Sequence, residues 1–268
     1  MPRLSLSVAR ILAVVNQKGG VGKTTTSVNL AAGLAHSGKR VLLIDLDPQG
    51  NATMGSGVDK RKALRTVYHL LLGMGDLQSV RTQSESGGYD LLPANRELAG
   101  AEVELVEFQH REGRLKAAIA GVVHEYDFIF IDCPPSLSLL TLNGLVAAQA
   151  VLIPMQCEYY ALEGLSDLVG TIKRVRANHN PGLEIAGLLR TMYDPRNTLS
   201  LQVSQQLETH FGDKVYRTLV PRNVRLAEAP SYGAPAVVLD QSSKGAQAYL
   251  ALADELLERE RAALGAAA

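Results

Sequence analysis

The chain has 268 residues, 46% of them hydrophobic, enough for a large α/β core. Lys plus Arg equals Asp plus Glu at 27 each. Bulk charge therefore excludes a strongly basic nucleic-acid binder and an acidic disordered chain, and any site for a polyanion has to be a local patch.

In chain order, Arg3 and Arg10 precede only the short apolar run Ile11 to Val15, which polar Asn16 and Gln17 follow, so no signal peptide is expected. The 15 residues before Asn16 are too few for a helix-turn-helix module, and operator reading through an N-terminal domain is not expected. Apolar runs at Ile11 to Val15, Val41 to Ile44, Phe128 to Ile131, Ala150 to Pro154, Ile185 to Leu189 and Val215 to Val220 predict strands buried on both faces. Helical spacing of apolar residues predicts helices over Thr25 to Ser37, Arg96 to His124, Leu139 to Ala148, Glu163 to Asn178 and Leu199 to His210. Gly38 stops the first helix, and Gln83 to Gly88 reads as a surface loop. The alternation implies an α/β fold, a single doubly wound, mostly parallel sheet with helices on both faces, and residues 1–268 read as one domain. No stretch approaches the ~20 apolar residues that span a bilayer, so a soluble protein without a membrane role is expected. Cys133 and Cys157 form no C-x-x-C pair and have no zinc-like spacing to histidine, which fits a reduced, cytoplasmic setting.

The first strand runs into Lys18-Gly19-Gly20-Val21-Gly22-Lys23-Thr24-Thr25 and then a helix, the context that a phosphate-binding loop needs. Glycines let successive N–H groups converge on phosphate oxygens, and the helix N-terminus adds its partial positive charge. Lys23 is placed to reach the β and γ phosphates of ATP and the Thr24 hydroxyl to ligate Mg²⁺. The usual pattern G-x-x-x-x-G-K-[ST] fails, because its first glycine falls on Gln17; an added lysine, Lys18, opens the motif instead. Asp132, ending an apolar strand before Cys133-Pro134-Pro135-Ser136, is the candidate to hold the Mg²⁺ water shell. Asp45 and Asp47 end the second strand on the same sheet edge, and one of them is expected to orient the attacking water.

These residues resemble the ParA/Soj family of chromosome and plasmid partitioning ATPases, within the deviant-Walker class that includes MinD. The resemblance rests on Lys18 to Thr25, Asp45 to Asn51, Ile131 to Ser136, Glu158 to Gly164 and Pro221 to Ser231, and covers nearly the whole chain. It implies slow ATP hydrolysis and an ATP-dependent homodimer in which Lys18 crosses to the other subunit's phosphates. It further implies that Asp47 positions the water, that Gly19 is small because the facing subunit lies against it, and that Pro221, Arg222 and Asn223 pack near the adenine. The family binds double-stranded DNA without sequence preference as the ATP dimer, on the nucleoid, and is released by a ParB-type centromere-binding protein. Residues 190 to 225 carry Arg190, Arg196, Lys214, Arg217, Arg222 and Arg225 against Asp194, Glu208 and Asp213. Arg196, Arg222, Arg225 and Lys244 are the DNA-binding candidates.

Three alternatives share the loop. A MinD-like membrane-associated division ATPase would end in a basic amphipathic helix, whereas residues 249 to 261 mix Asp254, Glu255, Glu258 and Glu260 with two arginines. A nitrogenase-iron-protein-like ATPase would place its two cysteines in glycine-rich loops around a cluster. A dethiobiotin-synthetase-like ligase would act on a small acceptor instead of water.

Overall fold

The computed structural model describes residues 9–267, with side chains for residues 9–265. Strand β1 (Arg10–Val14) leads into helix α1 (Lys23–His36) and β2 (Val41–Asp45). Three short helices follow, α2 (Asn51–Gly55), α3 (Val67–Leu72) and α4 (Leu77–Val80), then β3 (Thr82–Ser84), β4 (Tyr89–Leu92), α5 (Leu98–Glu104) and α6 (Arg114–Ile119). Strands and helices then alternate: β5 (Phe128–Asp132), α7 (Leu139–Ala147), β6 (Ala150–Gln156), α8 (Ala161–Asn178), β7 (Glu184–Tyr193), α9 (Thr198–Phe211) and β8 (Val215–Pro221). Helices α10 (Val224–Glu228), α11 (Ala236–Leu239) and α12 (Lys244–Ala267) close the chain.

All eight strands form one sheet in the order β3-β4-β2-β5-β1-β6-β7-β8, parallel except for β3 against β4. Successive side chains of a strand face opposite ways. Ile11 and Ala13 of β1 therefore join the core under α3 and α5 to α9, while Leu12 and Val14 join the core under α1, α11 and α12. Small residues on α1 admit the last helix closely: a Cβ on Gly33 would stand 3.3 Å from that of Ala253. Gly38 takes the left-handed conformation (φ 77) expected of a residue that ends a helix.

The six expected strands are present, and β3 and β4 were not foreseen. The polar segment Gln83 to Gly88 is partly strand: Thr82–Ser84 folds back on β4, with Gly88 at φ 72 in the turn between them. The expected continuous helix over Arg96 to His124 is broken. His110 adopts φ 52, and Asn143 of α7 fixes the break by donating to Arg111 O (2.9 Å) and accepting from Leu115 N (3.1 Å). Tertiary hydrogen bonds override the local helical period there.

Pro154 lies inside β6, where a missing N–H would ordinarily break a ladder. Register with β1 ends at Val14 opposite Leu152, so the proline faces the loop beyond β1, and Asn16 donates to its carbonyl at 2.8 Å.

Candidate nucleotide-binding site

β1 sits between β5 and β6, where the chain's direction of travel across the sheet reverses, and its C-terminal end opens the crevice that such a reversal creates. Residues 15–22 carry the chain from there into α1. Gly20 (φ 74) and Gly22 (φ 86) hold backbone that other residues adopt with strain. Gly22 occupies the N-cap of α1 and brings no side chain to cap it, leaving the helix's first N–H groups for an anion.

The loop is held by residues that the motif does not contain, one within the loop and two on neighbouring strands. Asn16 Oδ1 accepts from Lys18 N (2.9 Å), Gln156 Nε2 donates to Gly20 O (3.3 Å), and Thr191 Oγ1 donates to Val21 O (2.8 Å). Gln156 is the one polar residue of β6 and ends it, a contrast that the sequence shows, whereas Thr191 follows Arg190 in β7 and carries no such signal. The Lys23 amine folds back to Lys18 O at 3.0 Å and is nearly buried. Burial lowers its pKa, against the raising influence of Asp132 and Asp47. Lys18 behaves differently: its half-exposed side chain reaches out of the loop to an ion pair with Glu158, in the turn after β6.

Three strands end together beside the loop, with Asp132 in register with both Val14 and Asp45. Asp132 is fully buried and accepts from Thr24 Oγ1 and Ser27 Oγ, each at 2.8 Å. Burial, then the charge of Asp45, push its carboxyl above the ordinary range. Asp45 is also fully buried, and it accepts from Thr53 N (2.8 Å), Thr53 Oγ1 (2.7 Å) and Asp47 N (3.1 Å). The Asp47 carboxylate accepts from Gln49 N (2.9 Å) alone among the described residues. Of the two acids that end β2, Asp45 is committed to holding its own loop and Asp47 keeps an oxygen without a donor.

The residues fit a magnesium nucleotide. A hydroxyl and a carboxylate are hard oxygen donors suited to Mg²⁺. A Cβ on Gly19 or Gly20 would meet no atom within 4 Å, so the cradle has open space above it. A cavity of about 150 Å³ adjoins Gly22 and Thr25 and is lined by Thr191, Pro221, Arg222 and Asn223, which brings the expected adenine residues to the loop.

The basic candidates share one sheet edge. Tyr193 and Pro221 are in register, so Arg196 and Arg222 leave adjacent strand ends, and Gly245 packs against Asn223 and Leu226, which sets Lys244 beside Arg222 and Arg225. Arg196 pairs with Asp194 (2.8 Å), and Arg225 pairs with Glu228 and Asp240 (both 3.1 Å). Arg222 and Lys244 are exposed with no ion pair among the described residues. Arg190 is buried against Glu208 and Ser204, and Arg217, on the surface, pairs with Glu255 and Glu258 of α12. Cys133 and Cys157 are both buried, and burial pushes each thiol up, Cys157 to about 11.

A profile of the AAA domain family matches residues 9–185. The sporulation initiation inhibitor protein Soj of Bacillus subtilis is 53% identical over 249 residues, 93% of this chain and 98% of that protein. The chain belongs to the ParA/Soj family of partitioning ATPases. The chromosome partitioning protein ParA of Caulobacter vibrioides is 49% identical over 260 residues, 96% of this chain and 97% of that one. A crystal structure of cobyrinic acid a,c-diamide synthase from Mycobacterium smegmatis, with bound ADP and magnesium, superimposes with a TM-score of 0.83. It is 41% identical and covers 94% of this chain and 96% of that one. The ParA/Soj fold is the one described above, and no helix among the described residues is long and apolar enough to cross a membrane.

Proposed function

We propose that this ParA/Soj-family ATPase is a cytoplasmic, nucleoid-associated switch whose ATP-bound form is a dimer, binds double-stranded DNA without sequence preference, and is released when a ParB-type partner stimulates hydrolysis. It would act as one P-loop unit without a membrane. The observation that carries this reading is the contrast between the two loop lysines. Lys23 is folded into the cradle and is the cation for the phosphates of its own loop, whereas Lys18 points out of it, half in solvent, and has no task there. A second subunit supplies that task, with the extra cation acting as an arginine finger does.

ATP with Mg²⁺ would supply the phosphoanhydride bond and the charge neutralisation that its cleavage needs. The nucleotide-bound structures of the Mycobacterium smegmatis protein support this choice of ligand. In this chain Thr24 and Asp132 would hold the ion, the latter through water, while the N–H groups of Gly19 to Thr25 and the Lys23 amine would hold the phosphates. Asp47, with its unclaimed oxygen, would orient the attacking water. Arg196, Arg222, Arg225 and Lys244 would meet DNA phosphates, and doubling such a patch suits contacts whose affinity falls steeply with salt.

The test is a gel shift on arbitrary double-stranded DNA with ATP, ADP or no nucleotide, comparing the natural chain with Asp47→Ala. Binding is expected only with ATP and is expected to persist longer in the variant. Equal binding in all three states, or none at low salt, sinks the reading. One observation favours a second reading, a ligase acting on a small acceptor, because the Mycobacterium smegmatis protein is named as an amide synthase. Steady phosphate release with ATP and Mg²⁺ alone excludes it.

A further inference from the structure

The turn that carries Asp47 lies beyond the last ladder pair of β2, Asp45 with Asp132. Two side chains from further along the chain hold it, and neither belongs to the stretch Asp45 to Asn51 on which the family resemblance rests. The first is Thr53 of α2, which is fully buried. Its N–H (2.8 Å) and its hydroxyl (2.7 Å) both donate to Asp45 Oδ2, and Asp45 Oδ1 is left to accept from Asp47 N at 3.1 Å. The same hydroxyl accepts from Ala94 N at 2.9 Å. One oxygen therefore sets α2 against β2 and against the segment that follows β4.

The second is Lys60, half-buried in the loop after α2, whose amine donates to Gln49 O. Gln49 N donates to the Asp47 carboxylate at 2.9 Å, so Lys60 grips the residue whose N–H meets that carboxylate. The lysine stem also lies over Gly50. A Cβ on Gly50 would stand 2.9 Å from Lys60 Cδ and 2.7 Å from Ala94 O, and Gly50 N donates to Asp47 O at 2.8 Å. The Asp47 side chain is loosely held, but the backbone that carries it is pinned from two directions.

We infer that Thr53 and Lys60 are positioning residues for hydrolysis: they fix the backbone of Asp47 so that its carboxylate meets the attacking water, and they do not act on nucleotide binding. The inference rests on the proposed role of Asp47. A reacting group displaced by about 1 Å loses about 10²-fold in rate, whereas the phosphates are held by N–H groups of a different loop.

The test compares Thr53→Val, Thr53→Ser, Lys60→Met and Asp47→Asn in the full chain. Single-turnover hydrolysis of ATP with Mg²⁺ is measured below each variant's melting temperature, and Kd is measured with a fluorescent ATP analogue. Thr53→Val is expected to slow hydrolysis about tenfold or more with Kd within about twofold, and Thr53→Ser, which keeps the hydroxyl, to restore the rate. Lys60→Met keeps the stem and is expected to slow hydrolysis about two- to tenfold, as loss of one partly exposed hydrogen bond does. Because Lys60 is half-buried, its variant decides the matter if Thr53→Val does not fold. Adding either substitution to Asp47→Asn is expected to slow it no further, since both act through Asp47. A variant that hydrolyses as fast as the natural chain overturns the inference for its residue. So does an equal loss in the Asp47→Asn background, or a Kd that weakens as much as the rate falls. If Asp47→Asn itself hydrolyses as fast as the natural chain, the proposed role of Asp47 fails and the inference fails with it.

Discussion

Thr191 offers a way to test how the phosphate loop is held, because its hydroxyl donates to Val21 O at 2.8 Å and both residues are almost wholly buried (2% and 1% exposed). Valine at this position keeps the methyl group that lies beside Gly22 and removes the donor alone. A buried carbonyl left without its donor costs about 1–3 kcal/mol. If the nucleotide-free loop keeps its conformation, that cost appears in the fold, as a drop of about 2–12 °C in melting temperature. If the loop opens so that water reaches Val21, the fold is spared and the cost falls on closing around ATP, about 5- to 150-fold in Kd. Melting followed by circular dichroism without nucleotide, and titration with a fluorescent ATP analogue, measure the two shares of one energy. Thr191→Val with neither share changed refutes the view that β7 buttresses the loop.

A Cβ on Gly19 would meet nothing within 4 Å in the single chain, so Gly19→Ala should change stability by no more than the ~0.5 kcal/mol expected of surface changes, while light scattering should show the ATP dimer lost. A retained dimer removes the argument for a facing subunit at Gly19. Glu255 ties α12 to β8 by accepting from Arg217 N (2.8 Å) and Thr218 N (2.9 Å), and it also accepts from Arg259 Nη2 (2.8 Å) one turn on in its own helix. Burial pushes its carboxyl up, but these donors and Thr218 Oγ1 outweigh that and hold it below 4.5. A depressed carboxylate stabilises fully above its unfolded pKa and loses that contribution as pH falls through the folded one. Glu255→Gln should therefore cost about 1.5–3 kcal/mol near pH 7, and the gap in melting temperature should narrow as pH falls below the ordinary glutamate range and close once pH passes below the depressed folded value; a gap that is flat with pH rules out the ionised form as its source. The Lys18–Glu158 pair is half exposed, so breaking it changes energies by about 1 kcal/mol at most. Glu158→Gln is expected to tighten ATP-dependent dimerisation up to about fivefold by freeing Lys18, and a weaker dimer would show that Glu158 helps the crossing instead.

What was legible in the sequence depended on how locally each feature is specified. The strands that flank the site are short apolar runs buried on both faces, and such runs announce themselves without knowledge of their neighbours. The loop was legible for a similar reason, since positive φ at Gly20 and Gly22 demands glycine wherever the rest of the chain lies. The break at residues 105–113 was not legible, because its cause is Asn143, about thirty residues away on another helix. Strand β4 escaped because Asp90 interrupts its apolar run, and its pairing with β2 is what makes it a strand. The basic run from Arg190 to Arg225 shows the opposite error. Counted along the chain it is a patch, but folding buries Arg190 and turns Arg217 toward α12, leaving the charge to fewer side chains at the ends of β7 and β8.

The same distinction separates the three carboxylates beside the loop. Spacing alone made Asp45 and Asp47 equivalent candidates, both at the end of β2 on the phosphate side. Their hydrogen bonds separate them. Thr53 gives Asp45 its hydroxyl and its N–H, and that hydroxyl also receives Ala94 N at 2.9 Å, so Asp45 fastens α2 and the end of β4 to β2. Replacing it would loosen the turn that carries Asp47. Asp132 is satisfied by Thr24 and Ser27 of α1, and its charge is buried against Asp45 at a cost that a divalent cation would relieve. Asp47 is left with one oxygen unclaimed beside a lysine that answers to its own loop. A group held by few bonds can turn to a water that arrives only when the nucleotide does, and a group held by three cannot.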